Sequence, residues 1–131
     1  MQIRSVHFQF VLSLIAGWLF AVSAWAAVKP FDQAAFAAAQ AAGKPILVEI
    51  HADWCPTCRA QDPVISELMR EPKNAGFVVL RVDFDGQKDV VKRFHVQYQS
   101  TLIVFKGRKE VSRSTGETRK AAIEAQLAKA Y

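Results

Sequence analysis

Ile46-Leu47-Val48-Glu49-Ile50-His51-Ala52-Asp53-Trp54-Cys55-Pro56-Thr57-Cys58 is the stretch whose reading decides the fold. An apolar run ends in a C-x-x-C pair, and Pro56 between the cysteines suits the first turn of a helix. These two cysteines are the only ones in 131 residues. A strand passing directly into a helix that opens on a dithiol puts the first sulfur where unpaired N–H groups and the positive dipole end favour a thiolate. A stabilising staple fits poorly, because closing so short a loop removes only about 2 kcal/mol of unfolded-chain entropy. The pair reads as redox-active.

A metal is the rival occupant. Cys55 and Cys58 supply half of a tetrahedral thiolate site. Beyond the N-terminal segment the only imidazoles are His51 and His95. One chain therefore lacks an evident full ligand set, although two chains could share a metal or cluster through four cysteines.

Working outward, the N-terminus reads as a targeting segment. Arg4 precedes an almost wholly apolar stretch over residues 8–22, and Ala24-Trp25-Ala26 forms a small-x-small cleavage site. Residues 1–26 are thus expected to be a signal peptide, or an uncleaved N-terminal anchor, since 8–28 is long enough to cross a bilayer. Either outcome leaves the dithiol outside the cytosol, with a periplasmic location expected. Residues 27–131 suffice for one domain with one core. The formal charge of +5 is spread among interleaved acids and bases. Lys106, Arg108, Lys109 and Arg113 cluster around one turn, which reads as a solvated hairpin tip and not a nucleic-acid surface.

The coarse element pattern follows from capping and periodicity. Asp32 caps a helix over 33–42 that stops at Gly43. The strand over 46–51 is apolar on both faces apart from Glu49 and His51, as a central strand covered on two sides should be. The helix from Cys55 to before Pro72 carries Val64, Ile65, Leu68 and Met69 on one side, with Pro63 inside it. A β-branched strand over 77–82 follows, then a short helix over 89–94. A hairpin of 101–105 and 110–114 turns at Lys106-Gly107-Arg108-Lys109. The last helix spans 118–129. This order implies an α/β fold with a mixed sheet between helices.

Several features together resemble the thioredoxin superfamily: Ile46-Leu47-Val48-Glu49 leading into Ala52-Asp53-Trp54-Cys55, Pro63 after the second cysteine, Phe105-Lys106-Gly107, and Gly116 before the last helix. Pro56-Thr57 resembles the periplasmic thioredoxin-like reductants of cytochrome c maturation. The lead-in Ala52-Asp53-Trp54-Cys55 resembles the C-terminal domain of the transmembrane thiol reductant that feeds them. The resemblance implies a three-layer α/β/α sandwich around a central mixed β-sheet. It also implies an extracytoplasmic dithiol reductase acting on disulfides of exported proteins. Such an enzyme uses no cofactor beyond its own dithiol and is recharged by a membrane thiol donor.

Carried over residue by residue, Cys55 is the exposed nucleophile and Cys58 the buried resolving thiol. Glu49 matches the buried carboxylate that relays the proton of the second cysteine. Burial alone is expected to raise its pKa; a solvated glutamate at a sheet edge is the plainer alternative. His51 replaces a usual tryptophan and shares the strand face of Glu49. It either assists the dithiol or packs as a hydrogen-bonded histidine. Trp54, Pro56, Thr57, Ser100 and Thr101 complete the expected neighbourhood. Ser100 departs from the family, which has a cis-proline there. A cis bond before serine costs about 3–4 kcal/mol, so Gln99–Ser100 is expected to be trans. The resemblance further implies that Ser100→Pro strengthens substrate capture.

Overall fold

The computed structural model describes residues 25–131. The expected signal peptide over 1–26 lies outside these apart from Trp25 and Ala26. In chain order the elements are β1 (Val28–Pro30), α1 (Gln33–Ala41), β2 (Pro45–His51), α2 (Pro56–Met69), a 3-10 helix (Pro72–Asn74), β3 (Val78–Asp83), α3 (Lys88–Arg93), β4 (Thr101–Lys106), β5 (Lys109–Thr115) and α4 (Lys120–Ala128). The five strands are ordered β1-β3-β2-β4-β5. β1 and β2 both run parallel to β3, whereas β4 lies antiparallel to β2 and β5 antiparallel to β4.

β2 is central because its side chains are apolar on both faces. Ile46, Val48 and Ile50 pack with Phe31, Phe36, Val90 and Phe105 on the α1 and α3 side. Leu47 points the other way, into Ile65, Leu68 and Met69 of α2 and Ile123 and Leu127 of α4. Two apolar layers on one sheet make the three-layer α/β/α sandwich anticipated above.

Local chemistry fixes the ends of the elements. The Asp32 carboxylate accepts the Ala35 N–H at 2.7 Å and caps α1. Gly43 ends that helix region at φ +68°, a left-handed conformation that glycine adopts without strain. Gly107, at φ +56°, turns the β4–β5 hairpin and donates its N–H to Lys44 O at 2.9 Å. A Cβ on Gly107 would lie only 3.3 Å from Gly43 Cα, so this hairpin tip closes against the α1–β2 turn. β1 is an element that the pattern did not suggest. It has three exposed residues, one of them proline, too few for any periodicity to register.

Candidate active site

The end of β2 delivers both sulfurs. After His51 the chain turns through Ala52 and Asp53, the Cys55 N–H bonds to Ala52 O at 3.0 Å, and α2 begins at Pro56. Pro56 tops the first turn, where a missing N–H costs nothing. Cys55 is itself the N-cap of α2: its Sγ accepts the Cys58 backbone N–H at 3.1 Å. Cys58, one turn in, has its Sγ 4.0 Å from Ile50 O. The two thiols are therefore inequivalent. Burial, reinforced by the hydrogen bond with Cys55, pushes the Cys58 thiol up to about 11, partly offset by the backbone of Ala52 and Ser100.

The expectation of an exposed Cys55 does not hold. Both cysteines are 1% exposed, packed with Ala52 and against the half-buried Phe84 ring. The cause lies in the turn after β3. Trp54 Nε1 donates to Asp85 Oδ2 at 2.6 Å, and Lys88 Nζ sits 4.8 Å from the Phe84 ring centre, so this turn is drawn over the dithiol. Trp54 remains 56% exposed beside it. Pro56 is exposed and Thr57 half-buried on the first turn of α2.

Glu49 is buried, at 3% exposure, which rules out the solvated alternative. It is not solitary, however. The parallel register sets Glu49 beside Arg81 of β3. Arg81 Nε donates to Glu49 Oε2 at 2.9 Å, and its Nη2 lies 2.8 Å from the same oxygen. That Nη2 also reaches Asp62 Oδ1 of α2 at 2.5 Å. Asp62 Oδ2 in turn lies 3.4 Å from His51 Nε2, and His51 Nδ1 is 3.7 Å from Asp53 Oδ1. His51 Nε2 and Glu49 Oε1 make no hydrogen bond among the described residues. His51 Nε2 thus faces the Asp62 carboxylate without a hydrogen bond, and His51 is in no hydrogen bond with either sulfur among the described residues. Desolvation raises the Glu49 pKa and outweighs the pull of Arg81 in the opposite direction. Sequence reasoning missed Arg81 and Asp62. Their signal was present, since a carboxylate buried in a central strand calls for a cation, and Arg81 is the only basic residue in the adjacent strand.

The loop before β4 is held by backbone groups. Among the described residues no peptide bond is cis, so Gln99–Ser100 is trans, and Ser100 sits at φ +59°. Its N–H donates to Ile50 O at 2.8 Å, and its carbonyl accepts from Gly116 N at 3.0 Å and from Gln61 Nε2 at 3.1 Å. The same Gln61 amide donates to Glu117 O at 2.9 Å. Gln61 is a further residue absent from the sequence reading. Thr101, expected as a neighbour of the dithiol, commits its hydroxyl elsewhere, to Tyr98 O at 2.8 Å and the Thr115 hydroxyl at 2.9 Å. No group of three or more His, Cys, Asp or Glu side chains among the described residues is arranged to hold a metal, and His95 lies exposed in the loop after α3.

The thioredoxin family model matches residues 27–129. The chain belongs to the thioredoxin family. Membership makes it a thiol–disulfide oxidoreductase, and Cys55 and Cys58 are both present as free thiols. It is 36% identical over 92 residues to an H-type thioredoxin of Brassica campestris, covering 70% of this chain and 72% of that one. It is 32% identical over 103 residues to a bifunctional thioredoxin reductase/thioredoxin of Mycobacterium leprae, of which it spans 22% of the length. Among solved structures, Trxlp from Edwardsiella tarda EIB202 superposes with a TM-score of 0.75 at 42% identity, covering 77% of this chain and 98% of that one. The thioredoxin NaTrxh of Nicotiana alata gives a TM-score of 0.69 at 30% identity, covering 78% and 90%.

Proposed function

We propose that this thioredoxin-family protein is an extracytoplasmic dithiol reductase of disulfides in exported proteins. The observation that carries the reading is the asymmetry of the two sulfurs. Cys55 Sγ is the hydrogen-bond acceptor at a helix N-terminus, while Cys58 is a thiol held well above the usual range.

The thiolate of Cys55 attacks one sulfur of the client disulfide. The client S–S bond breaks, a Cys55–client bond forms, and the departing client thiolate takes a proton. Cys58 then gives up its proton and attacks Cys55 Sγ, releasing the second client thiolate and leaving a Cys55–Cys58 disulfide. Two electrons pass to the client, and a membrane thiol donor of two electrons restores the pair. Because the Cys58 thiol is so weakly acidic, its step needs a base. Glu49 is the buried carboxylate on the α2 face of β2, one residue before Ile50, whose carbonyl neighbours Cys58, and its Oε1 makes no hydrogen bond among the described residues and is left to accept the proton. Since Cys55 is covered in the free protein, docking has to uncover it, and the Trp54–Asp85 contact is the local hydrogen bond that opens.

Three measurements test the reading. Insulin reduction driven by dithiothreitol should be accelerated by the wild type and not by Cys55→Ser. The potential in a glutathione buffer should lie near −270 mV, and a value of about −120 to −180 mV would point to an oxidant or isomerase and overturn the reductase assignment. Mass spectrometry of the exported protein should give a chain starting at Ala27; recovery of the whole protein from the cytosol would overturn the location.

A further inference from the structure

Arg81 has two carboxylates to serve. Glu49, almost fully buried, takes one hydrogen bond and a close contact from it, while Asp62, with 38% of its side chain exposed, competes for the same Nη2. His51 Nε2 lies at ion-pair distance from the other oxygen of Asp62 but makes no hydrogen bond among the described residues. The quartet thus holds two acids, one guanidinium and one imidazole. A cavity of about 390 Å³ opens on it, lined in part by Lys29, His51, Asp53, Arg81 and Asp83, so water reaches the His51 and Arg81 end without passing the dithiol.

From this geometry we propose that Asp62 and His51 form a positioning arm. By sharing Arg81 with Glu49, the arm sets how firmly Glu49 is held as a carboxylate and so tunes the step in which Cys58 resolves the mixed disulfide. The inference rests on the dithiol reading above and on Glu49 as the proton acceptor. Asp62 draws Arg81 away from Glu49 and adds a like charge, which favours protonated Glu49. A charged His51 offsets Asp62 and favours the carboxylate. The direction of each influence agrees with the causes acting on Glu49, where Asp62 raises and His51 lowers its pKa. The charged groups facing His51 are Asp62 from α2, Arg81 and Asp83 from β3, Asp53 from the following loop, and Glu49 on its own strand.

The test separates the two chemical steps. Reduced protein mixed with 5,5′-dithiobis(2-nitrobenzoate) releases a first thionitrobenzoate when Cys55 attacks and a second when Cys58 resolves. The second phase should slow as pH falls through the Glu49 pKa. In Asp62→Asn that acid limb should move down by about one pH unit, and in His51→Gln up by about half a unit. In the double variant the His51→Gln displacement should largely vanish, because its route through Asp62 is gone. A structural defect would shift both variants in one direction together with a lowered melting temperature, and that result overturns the proposal. Profiles that overlie the wild type also overturn it. A wild type with no second phase defeats the underlying dithiol reading instead, which keeps the two failures apart.

Discussion

Replacing Ser100 by proline, the residue found at this place in the family, should damage this protein. Two structural facts set the size of the effect. The Ser100 N–H donates to the buried Ile50 carbonyl at 2.8 Å, and proline has no N–H to offer. Leaving that carbonyl unpaired costs about 1–3 kcal/mol. Ser100 also stands at φ +59°, whereas the proline ring holds φ near −65°, so the loop has to rebuild at a further cost of about 1–3 kcal/mol. A total of about 2–6 kcal/mol is a large share of the 5–15 kcal/mol typical of a domain, and should lower the melting midpoint by at least about 8 °C. Ser100→Gly isolates the conformational part. Glycine relieves a left-handed strain of about 1–2 kcal/mol and loses about 0.5–1 kcal/mol to unfolded-chain freedom, so it should stay within about 1.5 kcal/mol of the wild type. Urea unfolding of the three reduced proteins measures both. A Ser100→Pro variant as stable as the wild type, or with a longer-lived mixed disulfide, would refute this reasoning and restore the family-based expectation of stronger substrate capture.

Glu49→Gln should slow release of the mixed disulfide by about 100-fold or more while leaving the initial attack by Cys55 unchanged, as loss of a general base predicts; stopped-flow detection of thionitrobenzoate resolves the two phases. The pH dependence of stability should carry the mark of Cys58. A thiol raised from about 9.0 to about 11 by folding binds its proton more tightly in the native state, so its stabilisation is complete below pH 9 and is lost as pH rises toward 11. Reduced wild type should therefore lose stability over that window relative to reduced Cys58→Ala, and parallel curves would count against the asymmetry of the thiols. Phe84→Ala takes away the ring over the dithiol and should speed alkylation of Cys55 by iodoacetamide several-fold, with Cys58 still protected; unchanged kinetics would mean that another group covers the sulfur. Arg81→Met leaves Glu49 buried without its cation, which should cost about 3–5 kcal/mol where Glu49 is ionised and much less in acid, as urea titrations at two pH values would register.

The legible parts of this fold are those written in local pattern. Six residues, 46–51, announce a doubly covered strand, Asp32 and Gly43 bracket α1, and Gly107 marks the hairpin, all from chemistry within a few positions. β1 stayed hidden because three exposed residues carry no period, and its place depends on pairing with β3, about fifty residues later. The site divides along the same line. Cys55, Cys58 and Glu49 stand in one stretch of sequence and could be read as a group. The ionic quartet could not, since Asp62, Arg81 and Glu49 meet only through the packing of α2 on β2 and the parallel register with β3. The cover over Cys55 was equally out of reach, because it comes from a turn whose position depends on the Trp54–Asp85 contact.

The Gln61 carboxamide has a wider consequence. Its two donors end on main-chain oxygens, those of Ser100 and Glu117, so the dithiol helix is riveted to the loop before β4 and to the segment leading into the last helix by atoms that every amino acid supplies. The contour around the sulfurs then rests on the amide hydrogen and the carbonyl of position 100, and not on the serine hydroxyl.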